Sequence, residues 1–322
     1  MTALTRDRLE RHQLWFYVAG FCLGLGWAFL APGARGIAEI LVWPLLTVLL
    51  FATFAQTPFA LIPSAFKDVR FMTTALLANF VLVPVLVWLL VQLLPSVPAM
   101  QWGLALVLLV PCTDWFLTFT HLGGGDMPRA VSLTPVNLLL QLLLLPIYLP
   151  LVTEGVMPPL SFSTLTPVVL LLVVPLILAA ICERTVFTLP AGQRIQSGLA
   201  WMPVPVLALL ILCVATANGV TWVASIDVLW TVVVASLAFA VLALTLSLVL
   251  ARSVRLPAAH GRTLAFTLLT RNSFVVLPLA LALPAGWELA SLTVVTQSFV
   301  ELSLLILGVR LVPRVFPIHG AI

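Results

Sequence analysis

Charged residues are scarce in this sequence. Lysine, arginine, aspartate and glutamate together make up 8% of its 322 residues, whereas a soluble globular domain carries about 25%. The net charge is only +4, and the cations form no local basic patch of the kind that binds DNA or RNA. The composition therefore argues against a soluble domain and against a nucleic-acid partner.

The motifs of common catalytic and metal sites are also missing. There are four cysteines and four histidines, with no CxxC pair and no cluster of the two residue types, which argues against a structural zinc or a disulfide framework. The sequence has no HExxH, GxSxG or nucleotide-binding fingerprint, and "GGGD" at 123–126 is interpreted as a turn. We therefore predict a protein that is not an enzyme and that uses no cofactor, resident metal or ATP.

Long apolar runs are what the sequence has instead. Hydrophobic residues make up 62% of the chain, and apolar runs of about 18 or more residues recur along its length, which is typical of a polytopic α-helical membrane protein. We predict an all-α membrane protein with one transmembrane domain over residues 1–322, crossing the lipid bilayer ten times. The predicted spans are 14–31, 37–55, 71–94, 101–120, 128–153, 164–183, 198–217, 226–252, 260–283 and 287–312.

The basic residues predict the orientation of these spans. With a cytoplasmic N-terminus, all but two of the 15 lysines and arginines fall in cytoplasmic segments, as the positive-inside rule requires. The two exceptions are Arg35, in an outer loop, and Arg271, inside a span. We therefore predict a multi-pass protein of the cell membrane with both termini in the cytoplasm.

The span pattern repeats when the chain is shifted by about 157 residues. Spans 3, 4 and 5 then coincide with spans 8, 9 and 10. Each half has an odd number of spans, so the second half enters the membrane from the opposite side. The pattern predicts two inverted five-helix repeats, about 14–153 and 164–312. Many secondary transporters have this plan, with a site at midplane where paired helices are broken.

The same shift places Asp114 on Arg271, each in the most polar part of its span, "PCTD" in span 4 and "TRNS" in span 9. A charge at the bilayer centre costs ~2.5–3.5 kcal/mol on insertion scales, and Pro111 removes a backbone donor from its helix. We therefore predict broken, crossing helices 4 and 9. The two charges either form a structural ion pair between the crossing helices or belong to a transport site there.

The spans that follow carry polar residues four positions apart. Span 5 has Asn137 and Gln141, and span 10 has Gln297 and Glu301, so each pair lies on one helix face. The amides are predicted to support the site, with hydrogen bonding between helices as the alternative. Glu301 has no basic residue near it before Arg310, which suits a proton carrier.

Cys112 differs from the other cysteines. A buried cysteine is most often a small hydrophobic residue, which explains Cys22, Cys182 and Cys213 in their apolar segments. Cys112 instead adjoins a proline break and an acid. Its thiolate would be a soft ligand, so it is a candidate contact for a thiophilic metalloid such as As(III).

Taken together, these features resemble the bile acid/sodium symporter superfamily, and within it the arsenite efflux permeases of the arsenical-resistance type. The resemblance covers nearly all of the chain and rests on Cys112, "HLGGGD" at 121–126, "NSF" at 272–274, and Glu301 in "SFVEL". It implies that the cysteine of span 4 and the glutamate of span 10 are functionally important.

The departures from that family concern charge. The family's asparagine in span 9 corresponds to Asn272 or Ser273, and the glutamate that usually follows the next phenylalanine is Val275 here. Typical members have neither an acid at the position of Asp114 nor an arginine at that of Arg271. A paired substitution that rebuilds the charge of the site would explain both.

Three functions are open at this point. The first is proton-coupled efflux, by an antiporter, of arsenite or a related small metalloid or inorganic solute. Its substrate-binding residues are Cys112, Thr113, Asn272 and Ser273, and its proton or site charges are Asp114, Arg271 and Glu301.

The second function is sodium-coupled symport of an organic anion whose carboxylate binds Arg271. Sodium-coupled relatives have an acid near the crossing, where this chain has Thr267 or a neighbour, and Arg271 would repel a cation, so proton coupling is favoured. The third, an intramembrane enzyme, lacks a nucleophile–base pair.

Overall fold

A computed structural model of the chain describes residues 6–65, 67–156, 158 and 162–317. Within these ranges the protein is helical and contains no β-strand. A 3-10 turn lies at Phe59–Leu61 and a π-helix at Ala78–Leu82. The predicted junction between the repeats, at 154–163, includes positions outside the described ranges. The α-helices are α1 (Arg6–Leu30), α2 (Ala34–Phe54), α3 (Ile62–Ala65), α4 (Val69–Leu77), α5 (Val83–Gln92), α6 (Pro98–Leu109), α7 (Trp115–Leu122), α8 (Met127–Val152), α9 (Phe162–Arg184), α10 (Pro190–Leu199), α11 (Pro203–Ala224), α12 (Ile226–Ser253), α13 (Ala258–Leu269), α14 (Ser273–Leu281) and α15 (Glu288–Val315).

In the part of the chain that the structure describes, eight helical stretches are long and apolar enough to span a membrane. They overlap predicted spans 1–3, 5–8 and 10. Spans 4 and 9 are each divided into two shorter helices, α6 with α7 and α13 with α14, and neither half reaches the length of a span. The protein is thus a multi-pass membrane protein that is helical throughout the described ranges. The eight stretches are His12–Leu30, Ala34–Leu61, Val69–Gln92, Met127–Val152, Thr166–Arg184, Pro190–Ala224, Ile226–Ser253 and Glu288–Val315.

The chain divides into two compact units. The first comprises Met1–Thr57, Leu160–Asp227 and Leu277–Glu288, and in it α11 packs against both α1 and α2. The backbones of α1 and α11 lie so close that a Cβ atom at Gly24 would come within 2.4 Å of the Leu212 carbonyl oxygen. Small residues permit this close packing of helices in membranes.

The second unit comprises Pro58–Pro159, Val228–Val276 and Leu289–Ile322. In it, α8 packs against α5, α6, α7 and α13. Each unit combines spans that the predicted repeat relates to one another. Spans 1, 2, 6 and 7 lie in the first unit, and spans 3, 4, 5, 8 and 10 lie in the second, together with span 9 as far as Val276. Every predicted site residue belongs to the second unit.

The helices of spans 4 and 9 break where the sequence predicts. α6 stops before Val110, which is extended (φ −108°, ψ 109°) because the residue that precedes a proline avoids the α region. α13 stops before Thr270, which is also extended (φ −91°, ψ 131°), although no proline follows it. The second break therefore depends on contacts with other parts of the unit.

Candidate functional site

The two helix breaks contact each other. The Cys112 N–H donates to the Thr270 carbonyl oxygen at 3.1 Å, and the Asn272 N–H donates to the Val110 carbonyl oxygen at 2.8 Å. These bonds form an isolated antiparallel bridge between the breaks. Backbone groups that leave a helix inside a membrane protein must find partners within the protein, and here each break supplies partners for the other.

The guanidinium of Arg271 lies fully buried beside this bridge. Its Nη2 donates to the carbonyl oxygens of Thr267 at 2.8 Å and Leu268 at 2.6 Å. Nη2 also donates to the Asn79 Oδ1 at 3.2 Å, and Nη1 donates to the Leu108 carbonyl oxygen at 3.3 Å. The acceptors are uncharged oxygens from α6, α13 and the π-helix.

Glu301 binds the backbone of the second break. Its Oε1 accepts a hydrogen bond from the Arg271 backbone N–H at 2.7 Å, and its Oε2 accepts one from the Gln297 Nε2 at 2.7 Å. The predicted pairing of Gln297 and Glu301 on one helix face is thus a direct hydrogen bond. A cavity of about 20 Å³, lined in part by Ser236 and Phe239, reaches both side chains and has room for about one water molecule.

Asp114 and Arg271 lie in different environments. Asp114 is half-buried and immediately precedes α7, where a helix N-terminus favours a negative charge. Arg271 donates to carbonyls at the C-terminal ends of α6 and α13, where a helix favours a positive charge. The Glu301 carboxylate contacts the backbone N–H of Arg271. The ion pair between Asp114 and Arg271 stays a prediction.

Cys112 and Thr113 lie in the first break, with 2% and 3% of their surface exposed. The Thr113 hydroxyl has no hydrogen-bond partner within the described ranges. Because buried polar atoms are rarely left without a partner, this hydroxyl is available to a ligand.

Asn272 and Ser273 lie in and just after the second break and are also buried. The Asn272 Oδ1 accepts the Val275 N–H at 3.2 Å, which caps the start of α14. Its Nδ2 is buried and finds no acceptor among the residues that the structure describes. The amide is therefore held in place by one atom and can offer the other to a ligand.

The Thr267 hydroxyl joins span 9 to two other spans. It accepts hydrogen bonds from the Nδ2 of Asn137 at 3.3 Å and from the Nδ2 of Asn79 at 3.1 Å. Gln141, one turn further along α8, is buried, and both of its amide atoms lack a partner in the described part of the chain. Asn137 therefore contacts span 9 near the crossing, and Gln141 contributes a second amide on the same face.

Asn79 is a further candidate site residue, which was not among the residues predicted from the sequence. It is fully buried and lies in the π-helix between α4 and α5, a wide turn that is common at functional sites. Two signals pointed to it: it is the one amide in the apolar run at 75–91, and the repeat shift of about 157 residues places it on Ser236. Ser236 lines the cavity beside Glu301.

The "GGGD" segment at 123–126 forms the turn between α7 and α8, as predicted. Gly124 has a positive φ of 66°. Asp126 accepts the Arg129 N–H at 3.0 Å and pairs with its guanidinium at 2.8 Å. Arg129 also pairs with Asp68 at 2.6 Å, and the backbone N–H of Phe71 together with Arg129 lowers the pKa of Asp68 below its ordinary value. The segment therefore has a structural role at the end of α7.

A chain of apolar helices, with its buried polar residues gathered at a pair of crossing helix breaks, has the features of a multi-pass membrane transporter. Residues 43–235, more than half of the chain, match the family model SBF, described as the Sodium Bile acid symporter family, and the chain belongs to this family. The family implies a transported small anion and a coupling ion. The match includes the first break and ends before the second. No curated protein matches the chain at a significant level.

Proposed function

We propose that the protein is a secondary active transporter that expels arsenite, or a related small metalloid, in exchange for protons. The observation that carries the proposal is the position of Cys112, a buried thiol in a helix break. Sulfur is a soft ligand that suits As(III). The Thr113 hydroxyl and the Asn272 Nδ2, both buried without a protein partner in the described ranges, are suited to bind the hydroxyl groups of arsenite, together with Ser273.

Glu301 is the proposed proton carrier. Its carboxylate accepts a hydrogen bond from the second break and another from Gln297, so a change in its protonation alters contacts at the crossing directly. The cavity beside it has room for about one water molecule, which supports a route for the proton. Asp114, at the start of α7, contributes a second charge at the first break.

The second candidate is sodium-coupled symport of an organic anion, which the family description favours. In that function Arg271 would bind the carboxylate of the substrate. Both Nη atoms of Arg271 already donate to protein oxygens, and its Nε is the donor without a partner among the described residues. Arg271 therefore has one donor left for a substrate carboxylate, so the structure supports this contact less well than it supports a contact between the Cys112 thiol and a metalloid.

The proposed transporter crosses the cell membrane ten times, with both termini in the cytoplasm and two inverted repeats. The eight continuous stretches and the two broken pairs, α6 with α7 and α13 with α14, make up the ten passes. The division of the chain supports the repeat, because spans that the shift relates to one another fall in the same unit, apart from the end of span 9 after Val276.

Cysteine labelling tests this topology. In a variant without native cysteines, single cysteines at Glu154 or Ser225 are expected to react with an impermeant thiol reagent added to intact cells, because both positions lie in predicted outer loops. Cysteines at Lys67 or Arg194 are expected to react only after the membrane is permeabilised. Labelling of the second pair in intact cells would contradict the ten-span arrangement.

A growth assay tests the substrate. A bacterial host that is sensitive to arsenite is grown with and without this gene on arsenite, on antimonite and on a panel of toxic organic anions. We expect the gene to confer resistance to the metalloids, because the site offers a thiol and neutral hydrogen-bonding groups. Uptake of an organic anion that requires sodium, without metalloid resistance, would instead favour the second candidate.

A further inference from the structure

Four uncharged oxygens surround the positive charge of the Arg271 guanidinium. The guanidinium donates to three backbone carbonyls and one amide oxygen at 2.6–3.3 Å. A buried guanidinium ordinarily pairs with a carboxylate or a phosphate through two parallel hydrogen bonds. Here the contacts come instead from uncharged oxygens, the type of ligand that hard metal cations bind.

The helix ends, rather than the arginine, determine where these oxygens lie. α6 and α13 both end at the crossing, and the carbonyls of a last helical turn lack partners within their own helix. Leu108, Thr267 and Leu268 supply such carbonyls, at ends where the helix dipole is negative. The ring of Phe239 faces the same group, with its centroid 5.3 Å from the Arg271 Cζ, and an aromatic face also attracts a cation.

We propose that Arg271 is a tethered cation that takes the place of an alkali-metal ion such as Na⁺, so that this transporter works without sodium. A separate sodium ion does not fit beside the guanidinium, because the same oxygens would have to serve two positive charges. If the side chain is shortened, the three carbonyls and the Asn79 Oδ1 surround the space that it leaves. The inference concerns the cation alone and does not depend on which substrate is carried.

Thermal unfolding of the purified protein tests the proposal. The unfolding midpoint is measured in sodium chloride and in choline chloride at equal ionic strength. We expect the unmodified protein to unfold at the same temperature in both salts. We expect Arg271→Ala to unfold about 5 °C higher at saturating sodium than in choline, because an ion then binds only the folded state. The measurement uses no substrate, so its result is independent of the growth assay.

Two matched variants define the site. Arg271→Lys keeps a cation in place and is expected to have the same unfolding midpoint in sodium chloride and in choline chloride. Asn79→Ala combined with Arg271→Ala removes one oxygen ligand and is expected to need about tenfold more sodium for the same stabilisation. Sodium stabilisation of the unmodified protein, or equal midpoints of Arg271→Ala in both salts, would overturn the proposal. The Arg271→Ala protein is expected to remain folded during purification at least in sodium chloride. If it can be purified in sodium chloride but not in choline chloride, the proposal is supported. If it can be purified in neither salt, the arginine is structural and the proposal fails.

Discussion

Replacing Cys112 with serine is expected to abolish arsenite resistance while the protein still accumulates in the membrane. A hydroxyl has nearly the shape of a thiol but is a much poorer ligand for a soft metalloid. A loss of about 1.4 kcal/mol in binding free energy already lowers affinity tenfold, and the loss of an As–S contact should exceed this. The measurement is the arsenite concentration that a sensitive host tolerates, with expression checked by immunoblot.

The other cysteines provide the control for this prediction. Cys22, Cys182 and Cys213 replaced together by alanine should leave resistance largely intact. Cys213 is the closest match, because it is also a buried thiol, with 5% of its surface exposed. If Cys112→Ser exports arsenite at the full rate, the thiol serves only for packing and the metalloid proposal is wrong.

Removing the charge of Arg271 is expected to lower the free energy of unfolding by ~3–5 kcal/mol, the cost of breaking a buried charge interaction from one side. Double-mutant cycles then identify its counter-charge. Arg271→Gln is combined with Glu301→Gln in one cycle and with Asp114→Asn in the other, and unfolding is followed in choline chloride so that no sodium compensates for the lost cation. We expect a coupling energy of about 1–3 kcal/mol with Glu301 and a smaller one with Asp114.

The reason is that Glu301 contacts the Arg271 backbone, whereas Asp114 is half-buried at the start of α7. Transport is then measured for whichever of the two double variants regains stability. The result shows whether that pair of charges is structural or belongs to the transport site. Restored stability with restored transport would make the pair structural, and restored stability without transport would make it part of the site. A larger coupling to Asp114 would support the ion pair that the repeat predicts and would contradict our assignment of Glu301.

The first helix break was predictable because its cause is local. Pro111 lacks an N–H and forces Val110 out of the helical conformation, and both effects follow directly from the sequence. The second break has no proline. It was predicted from the polar stretch "TRNS" and from the repeat shift, which places it opposite the first, and its stability comes from bonds to Val110 and Cys112 that no local pattern shows.

The partners of Arg271 were hidden for a different reason. A buried arginine is expected to pair with an acidic side chain, and Asp114 is the acid that the repeat places opposite it. Most of the actual acceptors are backbone carbonyls at helix ends, and those at Leu108 and Leu268 belong to apolar residues. The fourth acceptor, Asn79, lies in a π-helix, and the sequence alone does not show where a helix widens by one residue.

The crossing also determines the order in which the protein matures. Leu108 and Arg271 contact each other across 163 residues of sequence. At a synthesis rate of about 5–20 residues per second, the first break is made roughly 8–30 s before the second exists. During that interval the Cys112 N–H and the Val110 carbonyl lack the partners that they have in the finished protein. Span 4 therefore lacks these backbone hydrogen bonds until α13 and α14 have been synthesised. The region around Cys112 is thus among the last parts of the protein to reach its final structure.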